Sequence, residues 1–90
     1  MAWRIEIDKD VQREMKKLDK QVAKRITAKL REVSQLDDPR SMGKGLTGNL
    51  AGLWRYRVGD YRIICDIEDG VLLILVVDVA YRREVYKCRG

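Results

Sequence analysis

The 90-residue sequence predicts an α+β fold: a small sandwich of an N-terminal strand, a helical hairpin and a three-stranded antiparallel meander. Three observations carry that expectation. Apolar residues alternate with polar ones near the N-terminus, recur at steps of three and four over residues 11–33, and alternate again around two-residue turns from residue 53 onward. At this length one domain, spanning 1–90, is expected, with 46% hydrophobic and 37% charged residues suiting a folded chain.

The first strand is read over residues 2–7, where Trp3, Ile5 and Ile7 face one way and Arg4 and Glu6 the other. Asp8 and Asp10 supply helix-capping oxygens. Behind them Val11, Met15, Leu18, Val22, Ile26, Leu30 and Val33 form one apolar stripe. Asp19 can cap a second helix within it, and the opposite face carries Arg13, Lys16, Lys17, Lys20, Lys24, Arg25 and Lys29, the composition of a solvated helix surface. Proline at 39 disfavours helical geometry in the residue before it, so the helix ends by Asp37-Asp38. Residues 40–52 read as a loop. Its GKGLTG segment lacks the spacing of a phosphate-binding loop and does not join a strand to a helix.

Three strands follow, over 53–58, 61–67 and 71–79. Gly59-Asp60 suits a type II′ hairpin turn and Asp69-Gly70 a second tight turn. The last strand is apolar on both faces, as for an interior strand. The first strand is expected to complete a single antiparallel sheet with the helices on one face.

Composition narrows the chemistry. With no histidine, Ser-His-Asp and Cys-His pairs and HExxH zinc sites are excluded. Cys65 and Cys88 fit neither a disulfide framework nor a zinc site, and Cys65 lies in an apolar run as a small buried hydrophobe. No metal or cofactor is expected. Charged Arg4, Glu6 and Asp8 do not fit a signal peptide, and the apolar run 71–77 is too short to cross a bilayer, so a cytoplasmic location without membrane contact is expected.

The net charge of +5 is modest, but register concentrates it. A two-residue turn at Gly59-Asp60 pairs Val58 with Tyr61, Arg57 with Arg62, Tyr56 with Ile63, Arg55 with Ile64 and Trp54 with Cys65. One face then reads Trp54, Tyr56, Val58, Tyr61, Ile63, Cys65, Ile67 and should meet the helices. The other reads Arg55, Arg57, Arg62, Ile64, Asp66. Opposed arginines destabilise a sheet unless an anion lies across them. With Asp69-Gly70 as a two-residue loop, Glu68 pairs with Val71 and Tyr61 with Asp78. Tyr81, Arg82 and Arg83 then emerge beside Arg57 and Arg62, with Tyr86 and Lys87 shortly after.

Guanidinium groups grip phosphate in forked hydrogen bonds, and aromatic planes stack on splayed bases, so this patch suits RNA or DNA. Arginine stays protonated and cannot act as a base. A proton acceptor for a ribose 2′-OH must come from Tyr86, Tyr81, Glu84 or Lys44. Tyr86 is preferred among these, provided that neighbouring positive charge lowers its pKa.

At these residues the sequence resembles the RelE toxins of the RelE/ParE superfamily of toxin–antitoxin modules. The resemblance is carried by Lys44-Gly45-Leu46 with Gly48, by LWRYRVGDYRIICDIEDG over 53–70, and by VAYRREVY over 79–86. It implies a RelE-like fold and a metal-independent, ribosome-dependent endoribonuclease that cuts mRNA in the A site through 2′-OH attack. Arg55 and Arg57 match two basic strand residues that are lysines in well-studied members. Arg62 matches a transition-state arginine, Arg82 a leaving-group arginine, and Tyr86 a tyrosine that orients or deprotonates the nucleophile. Lys44 falls near a basic loop residue expected on the RNA backbone. Tyr81 stands where relatives commonly carry His or Lys. Together with Arg83 and Lys87 it completes the expected RNA-binding set.

The resemblance further implies a RelB-like antitoxin partner, contact with mRNA and rRNA in the ribosome, and operator DNA bound only through the toxin–antitoxin complex. Two other classes stay open: a ParE-like toxin that inhibits DNA gyrase, and a non-catalytic RNA-binding module.

Overall fold

The computed structural model describes residues 3–81, which form one five-stranded sheet with two helices packed on one face. Strand β1 (Arg4–Ile7) leads directly into α1 (Lys9–Lys17), whose N-terminus is capped by the Asp8 carboxylate accepting from the Asp10 amide at 3.2 Å. Asp19 repeats the device for α2 (Lys20–Ser34), accepting from the Gln21 amide. The helical stripe therefore divides into two helices at Leu18-Asp19. Its residues Val11, Ile26, Leu30 and Val33 are buried, with Met15, Leu18 and Val22 packed against them.

Three further strands form the meander: β3 (Trp54–Val58), β4 (Tyr61–Glu68) and β5 (Leu73–Tyr81). The first hairpin has the expected register, with Trp54 opposite Cys65, Arg57 opposite Arg62, and Val58 opposite Tyr61. Gly59 has φ +57°, the positive value that the first position of a type II′ turn requires. Tyr56, Val58, Ile63, Cys65 and Ile67 join the helical stripe in the core, and Trp54 and Tyr61 pack against it. The Cys65 side chain is fully buried, and burial pushes its thiol pKa up to about 12.

Three features depart from the expectation. First, β1 pairs with β5 in parallel, Arg4 beside Leu73 and Ile7 beside Val76, so the sheet is mixed, in the order β1-β5-β4-β3-β2 with β2 at Lys44–Gly45. A tight turn imposes antiparallel pairing only on strands it joins. Both helices and three strands intervene between β1 and β5, and such a long crossover permits the parallel arrangement. Second, part of the loop is a strand: β2 (Lys44–Gly45) pairs with Arg55 and Trp54 at the sheet edge.

Third, the β4–β5 register differs from the two-residue-loop expectation. A 3₁₀ turn over Asp69–Val71 and a left-handed Leu72 (φ 50°, ψ 52°) make the connection longer, so Glu68 pairs with Leu73 rather than Val71. A bulge at Ile64/Cys65 then adds one residue to β5, and Tyr61 meets Tyr81 rather than Asp78. The bulge lets Ile74, Val76 and Val79 all join the core while Asp78 sits opposite Ile64 on the other face.

Candidate nucleic-acid interface

The face of the sheet away from the helices carries the cationic residues in two adjacent rows. One row runs Lys44, Arg55, Ile64, Asp78 across β2, β3, β4 and β5. The next runs Arg57, Arg62, Ala80. Directly paired residues share a face, so Lys44, Arg55, Arg57 and Arg62 converge by register alone. Arg57 is exposed and Arg55 half-buried, whereas Arg62 is only 8% exposed. Fixing a guanidinium at such a position requires charge nearby. Asp78 lies on the same face, on the diagonal from Arg62 and about 7–8 Å away by sheet geometry. Sequence reasoning passed over Asp78. Its signal was a single carboxylate inside the apolar run LILVVDVAY, but only the bulge brings it to this face.

The opposite side of β3 holds the Lys44 segment in place. Trp54 donates its indole N–H to the Met42 carbonyl at 2.6 Å, and Tyr56 donates its hydroxyl to the Pro39 carbonyl at 2.7 Å. Burial raises the Tyr56 pKa well above the ordinary tyrosine value, so this hydroxyl stays protonated and acts as a tether. Arg40 forms a two-pronged pair with Asp69, at 2.8 and 2.9 Å. That pair holds the Asp69 carboxyl below its usual pKa and raises the Arg40 guanidinium. Aromatic residues expected merely to fill the core thus also anchor residues 39–42, and through them the strand bearing Lys44.

Tyr81 stands apart from this cluster. It pairs with Tyr61, the two rings meeting edge to face at 5.4 Å, on the side of the sheet that carries Val79 and the core. Tyr81 is 40% exposed at the end of β5, on the opposite face from Arg57 and Arg62. Arg82, Arg83, Glu84, Tyr86, Lys87 and Cys88 lie outside the described residues. Among the described residues, no group of three or more acidic or cysteine side chains could hold a metal ion, and no helix is long and apolar enough to cross a membrane.

A family model described as the ParE toxin of the type II toxin–antitoxin system parDE matches residues 5–86. The chain belongs to this family. Within the RelE/ParE superfamily it is a RelE-type toxin. It is 36% identical over 52 residues to Toxin RelE of Mycobacterium tuberculosis, a match covering 58% of this chain and 54% of that relative. The chain therefore spans about half the length of the curated relative it matches. Solved structures share the fold. The RelBE2 toxin–antitoxin complex of M. tuberculosis superposes with a TM-score of 0.82 at 23% identity, covering 91% of this chain and 93% of that one. A free E. coli RelE variant gives 0.79 at 25% identity, with 97% and 93% coverage. The archaeal RelE–RelB complex of Pyrococcus horikoshii gives 0.72 at 27% identity, with 91% and 97% coverage.

Proposed function

We propose that this RelE-type toxin is a ribosome-dependent endoribonuclease that cleaves mRNA in the A site, and that a RelB-like antitoxin neutralises it. The observation that carries the reading is Arg57 paired directly with the buried Arg62, with Arg55 and Lys44 in the neighbouring row. Like charges placed opposite one another weaken a sheet. A phosphate lying across them reverses the sign of that interaction and turns the pair into a clamp.

In the proposed reaction the ribose 2′-oxygen attacks the adjacent phosphorus while the P–O5′ bond breaks. The products are a 2′,3′-cyclic phosphate and a 5′-hydroxyl end. The 2′-OH proton passes to the Tyr86 phenolate or to a group of the ribosome, and the departing 5′-oxygen takes a proton from water while Arg82 stabilises its charge. Arg55, Arg57 and Arg62 cannot accept protons. Their part is to hold the scissile phosphate and stabilise the negative charge that builds on its equatorial oxygens. Lys44, tethered beside Arg55, steadies the RNA backbone. Arg83 and Lys87 extend the contact along the message, whereas Tyr81, on the opposite face of the sheet, takes no part in it.

The solved relatives from M. tuberculosis and P. horikoshii are toxin–antitoxin complexes, which supports the antitoxin part of the reading. Operator DNA then meets this chain only through the antitoxin.

Programmed ribosomes carrying a defined codon in the A site provide the test. Cuts within that codon are expected with the wild-type chain and absent with R62A, while circular dichroism shows both folded. Intact message with the wild-type chain would refute the reading.

A further inference from the structure

A second cationic site lies outside the face just described. Beyond Arg55, β3 pairs with β4 alone among the described residues, and α2 approaches its other edge. Between them is an open groove of about 480 Å³ lined by Arg25, Lys29, Glu32, Arg57 and Gly59, with Ala28 and Val58 as its apolar floor. Arg25, Ala28, Lys29 and Glu32 fall at steps of three and four on α2, so all four side chains occupy one face of the helix. Lys29 is drawn to Glu32 at 3.3 Å, which leaves the groove with three cations and one anion. A side-chain carbon built at Gly59 would meet nothing within 4 Å, so the mouth of the groove is open at the hairpin turn.

Arg57 belongs to both places. It pairs with Arg62 on the outer face and also lines the groove on the helix side. We infer that the groove binds a backbone phosphate of a single RNA strand that has turned round the free edge of β3 after leaving the arginine face. The inference deepens the RNA-directed reading above and rests on it. A flexible strand can follow that bend, whereas a rigid duplex cannot. The basic face of α2, which in sequence reads as ordinary solvated helix surface, becomes the second half of a continuous phosphate track.

Binding of a 2′-O-methyl RNA decamer, which cannot be cleaved by 2′-OH attack, tests this by fluorescence anisotropy across a KCl series. Full-length wild type is compared with R25A/K29A and with K16A/K17A, which removes the same charge from the exposed last turn of α1. R25A/K29A is expected to weaken binding roughly tenfold, and to flatten the log–log salt slope by roughly 0.7, the share of one single-strand phosphate. K16A/K17A is expected to change affinity less than about twofold, and E32Q to tighten it. Equal losses in the two double variants would overturn the proposal. So would a twelve-base-pair RNA duplex showing the same R25A/K29A loss, or an acidic decapeptide competing as well as RNA. Decamer binding through the groove with message intact on ribosomes would reject the cleavage mechanism and leave this site standing. Cleavage by wild type with R25A/K29A matching its control would reject only this site.

Discussion

At the scale of single residues, Arg57 and Arg62 show how a local cost can mark a site. An R57Q variant keeps a polar side chain but removes the charge of the exposed partner in the like-charge pair. Thermal unfolding should show a gain of about 0.2–1 kcal/mol, while cleavage on ribosomes falls at least about tenfold, a loss of roughly 1.4 kcal/mol of transition-state stabilisation. Loss of both stability and activity would make Arg57 a structural residue.

Gly43 makes the opposite case, a residue whose absence of a side chain positions a functional one. At φ +79° it lies so close to β3 that an added carbon would collide with the Arg55 carbonyl oxygen and approach Trp54 Nε1 to 2.8 Å and Tyr56 Cδ1 to 2.9 Å. G43A should therefore cost about 2 kcal/mol or more in denaturant unfolding. It should also weaken RNA binding, because Lys44 is the next residue.

Two neighbouring carboxyls give opposite pH signatures. Glu68 has its pKa raised by a hydrogen bond and repulsion from Asp66, whereas Asp69 has its pKa lowered by Arg40. A raised carboxyl contributes its stability at low pH and loses it as pH climbs through the folded pKa. A lowered one contributes above the unfolded value and loses it as pH falls through the folded pKa. E68Q should accordingly raise the melting temperature at pH 7, with the gain vanishing below about pH 4. D69N should lower the melting temperature at pH 7, with its deficit shrinking as the pH falls. Parallel pH profiles for the two variants would contradict this assignment.

At the scale of elements, legibility followed the range of the interactions. The β3–β4 hairpin is specified by residues within one turn of each other, and Gly59 with the alternation on either side was enough to set Arg57 against Arg62. Capping by Asp8 and Asp19 is equally local. The β4–β5 connection escaped because Asp69-Gly70 resembles a tight turn, while the chain spends two more residues on a 3₁₀ turn closed by a left-handed Leu72. Leu72 accepts that conformation where its carbonyl receives the Arg4 amide at 2.9 Å and its side chain packs on the core, both contacts distant in sequence. The bulge, the parallel β1–β5 pair and the two-residue β2 likewise depend on partners far along the chain. Consequently Arg55, Arg57 and Arg62 were readable from sequence as a set. Asp78 was not, and Tyr81, expected beside the arginines, lies on the opposite face with Tyr61.

At the scale of the whole molecule, the sheet separates two tasks. One face buries Tyr56, Ile63, Cys65, Ile74, Val76 and the helical stripe, supplying the stability of the fold. The other face is free to concentrate like charge, at a cost of tenths of a kcal/mol to about one per opposed pair. A chain of only +5 can thus present a locally intense field to a polyanion. In the proposed reaction the chain, which has no histidine, leaves proton transfer to groups such as Tyr86 and the ribosome, and the arginine face contributes charge and position. On the proposed mechanism, the arginine face cuts message by 2′-OH attack. Its most direct test is the chemistry of the 3′ end left on mRNA by programmed ribosomes treated with wild-type or R62A protein. A 2′,3′-cyclic phosphate within the A-site codon, lost in R62A, is the predicted result. Uncut message together with inhibited DNA gyrase supercoiling would contradict it.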